Sequence, residues 1–167
     1  ANVTNTMCEA VSPLLEKITG GRTLLRILSN YSTRRIAMAT AVFDKNEIGG
    51  EDVVNDIVLA FQFAENDVYR AVTHNKGIMN GVDALIIATG NDFRAIEAGV
   101  HAYAARNGQY TSLSKASIID DQFTMELILP LALGTVGGLT KLHPMVGWSM
   151  ELLGNPDAKK LMQIVAV

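Results

Sequence analysis

The chain has 167 residues, of which 49% are hydrophobic, 19% charged and 6% aromatic, and its net charge is −3. This composition is typical of a globular domain with a substantial core and excludes a disordered chain. The slightly acidic balance, with no run rich in lysine and arginine, argues against a nucleic-acid surface. Cys8 is the only cysteine, which excludes an intrachain disulfide and is typical of proteins of the reducing cytosol.

The start of the chain predicts a helix, because apolar residues recur at helical spacing: Val3, Met7, Val11, Leu14, Leu15 and Ile18. Thr6 followed by Glu9 predicts a capping box. Pro13 predicts a kink or the start of a second helical segment, and Gly20-Gly21 ends the helix. Residues 23–28 are apolar on both faces and predict a buried strand.

The remaining elements mix helices and short strands. Strands are predicted over residues 36–43, 116–119 and 123–129, and the last two flank Asp120-Asp121-Gln122. Helices are predicted over residues 51–66, 145–153 and 158–167, the last of them capped by Asp157. The pattern therefore predicts an α+β (mixed α/β) fold in which helices dominate, with about four strands. The longest uncharged apolar run, residues 127–140, is too short to span a bilayer.

The central stretch, residues 69–99, carries an isolated lysine, Lys76, among apolar residues. If this stretch is helical, Asn80 lies about 40° from Lys76 around the axis and Asp83 about 20° on the other side. A lysine on a mostly buried surface is costly unless it is paired. The nearest candidate partner is Asp92, which follows the turn signal Thr89-Gly90-Asn91 and begins the next helical pattern, where backbone amides favour a charged carboxylate. The alternative is that Asp92 only caps a helix and Lys76 reaches solvent.

Three motifs, in this order and spacing, resemble those of the bacterial, class II, 3-hydroxy-3-methylglutaryl-CoA (HMG-CoA) reductases. Residues 73–81, Thr-His-Asn-Lys-Gly-Ile-Met-Asn-Gly, resemble the lysine motif of that family. Residues 88–92, Ala-Thr-Gly-Asn-Asp, resemble its catalytic aspartate motif, and residues 134–138, Gly-Thr-Val-Gly-Gly, a downstream glycine motif. The likeness runs over nearly the whole chain, and the lysine motif departs from the class I form.

The resemblance implies two domain fragments. Residues 1–29 would be the C-terminal part of a small NAD(P)-binding domain, with the last helix and strand of a ferredoxin-like fold. Residues 30–167 would belong to the large, helix-rich catalytic and substrate-binding domain. Because a family motif, Asp-Ala-Met-Gly-Ala-Asn, ends at the positions of Ala1 and Asn2, we expect an internal fragment of a longer reductase. The family's catalytic glutamate would lie upstream of Ala1, and its histidine in a C-terminal flap.

The implied reaction is the NAD(P)H-dependent four-electron reduction of HMG-CoA to mevalonate and coenzyme A, or its reverse, through a mevaldyl-CoA hemithioacetal. The resemblance assigns Lys76 the stabilisation of the oxyanion that hydride addition creates, and Asp92 the role of its charge partner. It places Arg70 and Asn80 at the substrate. The cofactor, NAD or NADP, would contact residues that match Asn2 and Asn30, whereas the residues that select between the two cofactors would lie upstream.

The resemblance further implies a homodimer or higher oligomer with an active site between subunits, a cytoplasmic location and no membrane partner. The charge balance predicts no nucleic-acid partner, and no metal is predicted. His74, His101 and His143 are not spaced as a metal cluster. A non-catalytic acyl-CoA-binding or scaffold module with the same fold stays open, whereas an unrelated dehydrogenase would need a nucleophilic cysteine near the lysine. Three structural alternatives stay open. Arg70 could form a surface ion pair with Glu65 or Asp67, and Asn30 could be a plain turn residue. The glycines of residues 134–138 could serve only for backbone packing.

Overall fold

A computed structural model describes residues 2–167, apart from the side chains of residues 140 and 141. These residues form helices, one antiparallel sheet and the segments that connect them. Ala1, where the predicted NAD(P)-binding part begins, lies outside the described residues. The chain divides into two compact units, Ala1–Asn30 and Tyr31–Val167. The combination of helices and sheet confirms the predicted mixed α and β class.

The first unit consists of helix α1 (Asn2–Thr19) and the segment that follows it. Helix α1 is continuous through Pro13, so the predicted second segment is wrong. The predicted capping box is also wrong, because Thr6 lies inside the helix and its hydroxyl donates to the Asn2 carbonyl oxygen at 3.0 Å. Gly20 ends the helix with a φ of 66°, as predicted.

The strand predicted over residues 23–28, the last strand of the small domain, is not formed in the described chain. Its backbone amides bond to side chains of α1 instead of to a neighbouring strand. The Thr23 amide donates to a Glu16 carboxylate oxygen at 2.9 Å, and the Leu28 amide donates to the Asn5 side-chain oxygen at 2.9 Å. An apolar run becomes a strand only where another strand takes its ladder of hydrogen bonds, and within this unit none does.

The second unit contains an antiparallel sheet of strands β1 (Ile36–Asp44), β2 (Ser114–Ile119) and β3 (Gln122–Pro130), in the order β1-β3-β2. These strands confirm the other three predictions. Strands β2 and β3 form a hairpin whose two turn residues, Asp120 and Asp121, have φ of 49° and 65°. Aspartate tolerates this left-handed conformation, and such a turn matches the twist of the strands that it joins.

The second unit also contains six described α-helices. The helices over residues 51–66 and 68–88 are separated by a single residue, Asp67. No described helix is long and apolar enough to cross a membrane. The helices are α2 (Glu51–Asn66), α3 (Val68–Ala88), α4 (Phe93–Ala104), α5 (Leu139–Leu142), α6 (Pro144–Leu152) and α7 (Ala158–Ala166).

The main hydrophobic core lies where α4 and α7 pack on one face of the sheet and α3 packs against both of them. Burial of each large aliphatic side chain there stabilises the fold by about 1.5–3 kcal/mol. Helix α3 contributes one buried line to this core, so its opposite side is the surface on which a site can form. The core residues include Met79, Val82, Ile86, Ile96, Val100, Leu129, Leu131, Leu133, Leu161 and Val165.

Candidate active site

Helix α3, which carries Lys76, is fixed at both of its ends. Asp67 caps the start of the helix, because its carboxylate accepts a hydrogen bond from the Arg70 amide at 2.7 Å. At the other end the Gly90 amide donates to the Ile87 carbonyl oxygen at 3.1 Å, and the Asn91 amide to that of Ile86 at 2.9 Å. This is a Schellman ending, in which Gly90 has a φ of 67°. The backbone groups at both ends of the helix are therefore capped.

Lys76 lies on the exposed side of α3, and so does Asn80 one turn later. The predicted helix and the shared face of these two residues are confirmed. The predicted burial of Lys76 is wrong for the described chain, in which its side chain is exposed. The reason is that Met79, Val82 and Ile86 form the buried line of α3 and turn Lys76 away from the core.

Asp92 caps helix α4, and one of its carboxylate oxygens accepts a hydrogen bond from the Ala95 amide at 3.0 Å. Its side chain is exposed. Among the described residues no carboxylate lies within 4.0 Å of the Lys76 ammonium, so the expected ion pair between Asp92 and Lys76 is not formed within this chain. Both groups are thus presented at the surface, each on a fixed helix.

Arg70, in the first turn of α3, is half-buried. The alternative of an ion pair with Glu65 or Asp67 is wrong for the described chain, because its ion pairs involve Arg26 and Lys45 instead. The Asp67 carboxylate is engaged by the backbone amide of Arg70 rather than by its guanidinium. A half-buried guanidinium without a carboxylate partner is suited to bind an anionic ligand.

Asn75 was missed as a candidate from the sequence, although it is completely buried next to Lys76. Its side-chain amide donates to the Thr111 carbonyl oxygen at 2.9 Å, and its side-chain oxygen accepts from the Leu113 amide at 3.0 Å. A signal was present in the spacing, because Asn75 is in helical register with the buried Met79 and Val82. A polar residue on a core line must find buried partners.

His74, the neighbour of Asn75 on α3, makes a second contact with residues 111–114. Its ring nitrogen Nε2 lies 2.7 Å from the Ser114 hydroxyl, and its ring packs edge-on against Phe61 at 5.0 Å between centroids. Burial, followed by the positive charge of Arg70, lowers the pKa of His74. The imidazole is therefore neutral near pH 7 and forms a hydrogen-bonded contact between α3 and Ser114.

Asn91, within the turn that precedes Asp92, contacts the glycine motif directly. Its side-chain oxygen accepts a hydrogen bond from the Gly134 amide at 2.9 Å. Gly90, the preceding residue, is also closely packed. A Cβ added to Gly90 would lie 3.2 Å from side-chain atoms of Leu139 and Val146. The structure thus brings together the aspartate and glycine motifs, which are distant in sequence.

Asp83, the third member of the predicted polar line, faces helix α4 rather than open solvent. One of its carboxylate oxygens is buried and has no hydrogen-bond partner among the described residues. Burial, with a further contribution from Glu97, raises the pKa of Asp83 to about 6. The α3–α4 contact therefore contains two interacting carboxyl groups. His101, one turn after Glu97 on α4, makes a separate contact: its Nδ1 lies 2.9 Å from the Tyr110 hydroxyl.

The predicted cofactor residues, Asn2 and Asn30, both lie in the first unit and both are exposed. Asn2 begins α1, whose first turn carries no acidic side chain. In the described part of the chain, no group of three or more His, Cys, Asp or Glu side chains is arranged to hold a metal ion. A surface cavity of about 270 Å³ beside Glu65, Lys115 and Glu126 contains none of the predicted site residues.

Comparison with known proteins gives a consistent family. The family model described as hydroxymethylglutaryl-coenzyme A reductase matches residues 1–167. The 3-hydroxy-3-methylglutaryl-coenzyme A reductase of Archaeoglobus fulgidus is 51% identical over 171 aligned positions, covering 99% of this chain and 38% of that protein. A probable reductase of the same name from Borreliella burgdorferi is 38% identical, covering 83% of this chain and 33% of that protein.

A solved structure has the same fold. The class II 3-hydroxy-3-methylglutaryl-CoA reductase of Streptococcus pneumoniae, bound to NADPH in open conformations, is 46% identical and superposes with a TM-score of 0.95. The match covers 99% of this chain and 42% of the S. pneumoniae chain. The chain thus spans about two fifths of the length of these relatives.

Proposed function

Because this chain belongs to the hydroxymethylglutaryl-coenzyme A reductase family, we propose that it supplies the lysine and aspartate part of a class II reductase active site. The reaction is HMG-CoA + 2 NAD(P)H + 2 H⁺ ⇌ mevalonate + coenzyme A + 2 NAD(P)⁺. Each of its two reductive steps places negative charge on a carbonyl oxygen of the substrate. A protein group that stabilises that oxygen lowers the barrier of both steps.

Lys76 is the residue to which we assign this stabilisation. Its ammonium is on a helix fixed at both ends, and no described carboxylate neutralises it. A pre-positioned cation is most effective where water is excluded, because the local dielectric constant is then low. Asp92 would orient the ammonium once the site is closed, and Asn80 would hydrogen-bond to Lys76 or to the substrate.

Arg70 is proposed to bind the carboxylate of the HMG group. Support comes from its half-buried guanidinium, which lacks a carboxylate partner in the described chain. The planar guanidinium can bind a carboxylate through two parallel hydrogen bonds, which fixes the orientation of the substrate as well as its affinity. Arg70 lies six residues before Lys76 on the same helix.

The nicotinamide cofactor, when bound, supplies the hydride. Asn2 and Asn30 are proposed to contact it, in a unit that would be the end of the small NAD(P)-binding domain. The residues present fit this role, because the first turn of α1 has backbone amides without an acidic neighbour, which suits a pyrophosphate. The exposed Asn30 side chain offers both a donor and an acceptor.

A second subunit is proposed to complete the site, and the exposure of the Lys76 side chain supports this proposal. An oxyanion-stabilising cation in open water is screened by solvent, so catalysis needs a further surface over this side of α3. That surface would carry the catalytic glutamate. A homodimer or higher oligomer in the cytoplasm is thus part of the same proposal.

The observation that carries the proposal is the Lys76 ammonium, which no described carboxylate neutralises, on a helix capped at both ends and at the position of the family's lysine motif. The test is HMG-CoA-dependent NAD(P)H oxidation by a full-length protein that contains this segment. We expect Lys76→Ala to lower kcat by about a hundredfold or more, because one oxyanion-stabilising group is lost. A matched control, Lys160→Ala, removes an exposed lysine from α7 and should leave the rate unchanged. Equal rates for wild type and Lys76→Ala would contradict the assignment.

A further inference from the structure

Residues 111–114, which we call the bridging loop, connect four elements of the second unit. The Thr111 hydroxyl donates to the Glu65 carbonyl oxygen at the end of α2 at 2.8 Å. The Thr111 amide donates to the Ala104 carbonyl oxygen at the end of α4 at 3.1 Å, and the Leu113 carbonyl oxygen accepts from the Ile128 amide in β3 at 3.2 Å. The loop is therefore anchored to α2, α4 and the sheet without any contribution from α3.

Helix α3 joins this loop through the two residues that immediately precede Lys76. Asn75 uses both ends of its amide on the loop backbone, at 2.9 Å and 3.0 Å. His74 adds the contact of 2.7 Å with Ser114. Because a buried amide bonded on both sides cannot slide or rotate without losing a hydrogen bond, these contacts fix both the height and the rotation of α3.

We propose that Asn75 is a positioning residue for Lys76, which sets where the lysine ammonium lies relative to the reacting carbonyl. This inference rests on the proposed function. Asn75 does not touch the substrate, since it is fully buried; it acts through the helix that it shares with Lys76. A displacement of a catalytic group by about 1 Å lowers the rate by about a hundredfold, so a small rotation of α3 is enough to matter.

A purely structural role for Asn75 makes a different prediction. In that case its loss would reduce the free energy of unfolding and the amount of folded protein, but each folded site would keep its kcat. If Asn75 acts through Lys76, its loss lowers kcat per folded site. KM for HMG-CoA rises as well where the shift of α3 also displaces Arg70.

The first experiment is a double-mutant cycle in the full-length protein with Asn75→Ala, Lys76→Ala and the combined variant. Single-turnover rates with enzyme in excess allow the slow variants to be measured. We expect Asn75→Ala to lower the rate at least about tenfold in the wild-type background and by less than about twofold in the Lys76→Ala background. An equal fold-loss in both backgrounds would overturn the proposal.

A second variant covers the case in which Asn75→Ala does not fold. Asn75→Asp has the same shape, and its protonated carboxyl can donate to the Thr111 carbonyl oxygen and accept from the Leu113 amide as the amide does. Burial favours the protonated form. We expect the rate of Asn75→Asp, divided by the wild-type rate at the same pH, to increase as the pH falls from about 8 to about 6. A rate ratio near one at every pH would count against the proposal.

A matched control is Tyr110→Phe, which removes the hydroxyl partner of His101 beside the bridging loop and leaves α3 untouched. This variant should lose stability without losing kcat. The outcomes also separate the two proposals. A Lys76→Ala protein as active as wild type contradicts the proposed function itself, whereas an inactive Lys76→Ala with a fully active Asn75→Ala contradicts only the positioning role.

Discussion

The side-chain oxygen of Asn91 lies 2.9 Å from the backbone nitrogen of Gly134, and this hydrogen bond joins the aspartate and glycine motifs through two residues that are 43 positions apart in sequence. The Asn91 amide nitrogen also donates to Thr89, to its carbonyl oxygen at 3.3 Å and to its hydroxyl at 3.2 Å. Asn91 therefore ties the turn that leads into Asp92 to the glycine motif. A turn fixed in this way presents the Asp92 carboxylate in one orientation.

Replacing Asn91 with alanine removes this tie. We expect Asn91→Ala to lower the free energy of unfolding by about 1–2 kcal/mol, the usual contribution of a side-chain hydrogen bond together with the loss of its neighbours. Asn91→Asp keeps the acceptor for Gly134 and should show a smaller loss. Urea unfolding of the full-length protein measures both variants, and equal losses would show that the bond to Gly134 contributes little.

Gly90 is predicted to tolerate no side chain. It has a φ of 67°, and an added Cβ would lie 3.2 Å from atoms of Leu139 and Val146. We expect Gly90→Ala to destabilise the protein by about 2–4 kcal/mol, from backbone strain and overpacking together. Gly154→Ala is the matched control, because Gly154 has a φ of 77° with nothing within 4 Å. Its loss should be only about 1 kcal/mol, and similar melting temperatures for the two variants would contradict the packing argument.

Asp92 has a structural and a proposed electrostatic role that substitution can separate. Its carboxylate caps α4 by accepting from the Ala95 amide, and asparagine caps a helix equally well but carries no charge. We therefore expect Asp92→Asn to keep the stability of wild type within about 0.5 kcal/mol while kcat falls at least about tenfold. Asp92→Ala should lose both. An Asp92→Asn protein with the wild-type kcat would leave Asp92 as a helix cap only.

Arg70 provides a test of substrate binding. Because the described chain offers its guanidinium no carboxylate within 4.0 Å, Arg70→Lys should change the free energy of unfolding by less than about 0.5 kcal/mol. The loss of two-point carboxylate binding should raise KM for HMG-CoA by about tenfold. Steady-state kinetics and thermal melting measured in parallel decide the matter. A variant that melts earlier and keeps its KM would identify Arg70 as a structural residue.

The carboxyl pair at the α3–α4 contact predicts a pH dependence of stability. The pKa of Asp83 is raised from its ordinary value of 3.8 to about 6 in the folded protein, so the folded state holds its proton more tightly than the unfolded state does. Stability from this group is then fully present below its ordinary pKa and is lost as the pH rises through about 6. Asp83→Asn removes that loss and should make the protein more stable than wild type near neutral pH, by about 1–2 kcal/mol after allowance for partial exposure.

The comparison for this prediction is urea unfolding of wild type and Asp83→Asn on both sides of pH 6. Glu97→Gln serves as the companion variant, since it removes the second carboxylate and should relieve part of the same penalty. If wild type and Asp83→Asn show the same dependence of the free energy of unfolding on pH, the burial of the Asp83 carboxyl does not destabilise the protein.

The elements with a strong periodic pattern were predictable from the sequence. The period of apolar residues located α2 and α7, and Asp92 and Asp157 lie at helix starts as predicted. The Asp67 cap of α3 was not identified from the sequence. Strand prediction succeeded over β1, β2 and β3 and failed over residues 23–28. A local apolar pattern predicts that a segment is buried, but the segment forms a strand only where a neighbouring strand pairs with its backbone.

The sequence by itself determined which chemical groups are present and in what order: the lysine, aspartate and glycine motifs, the helix caps, and the family to which they belong. Only the tertiary structure decided what surrounds each group. It turned Lys76 outward, buried Asn75 between two backbone partners, and joined Asn91 to Gly134. The physical reason is that solvent exposure and hydrogen-bond pairing depend on segments distant in the chain, and helical period alone does not specify which of them meet.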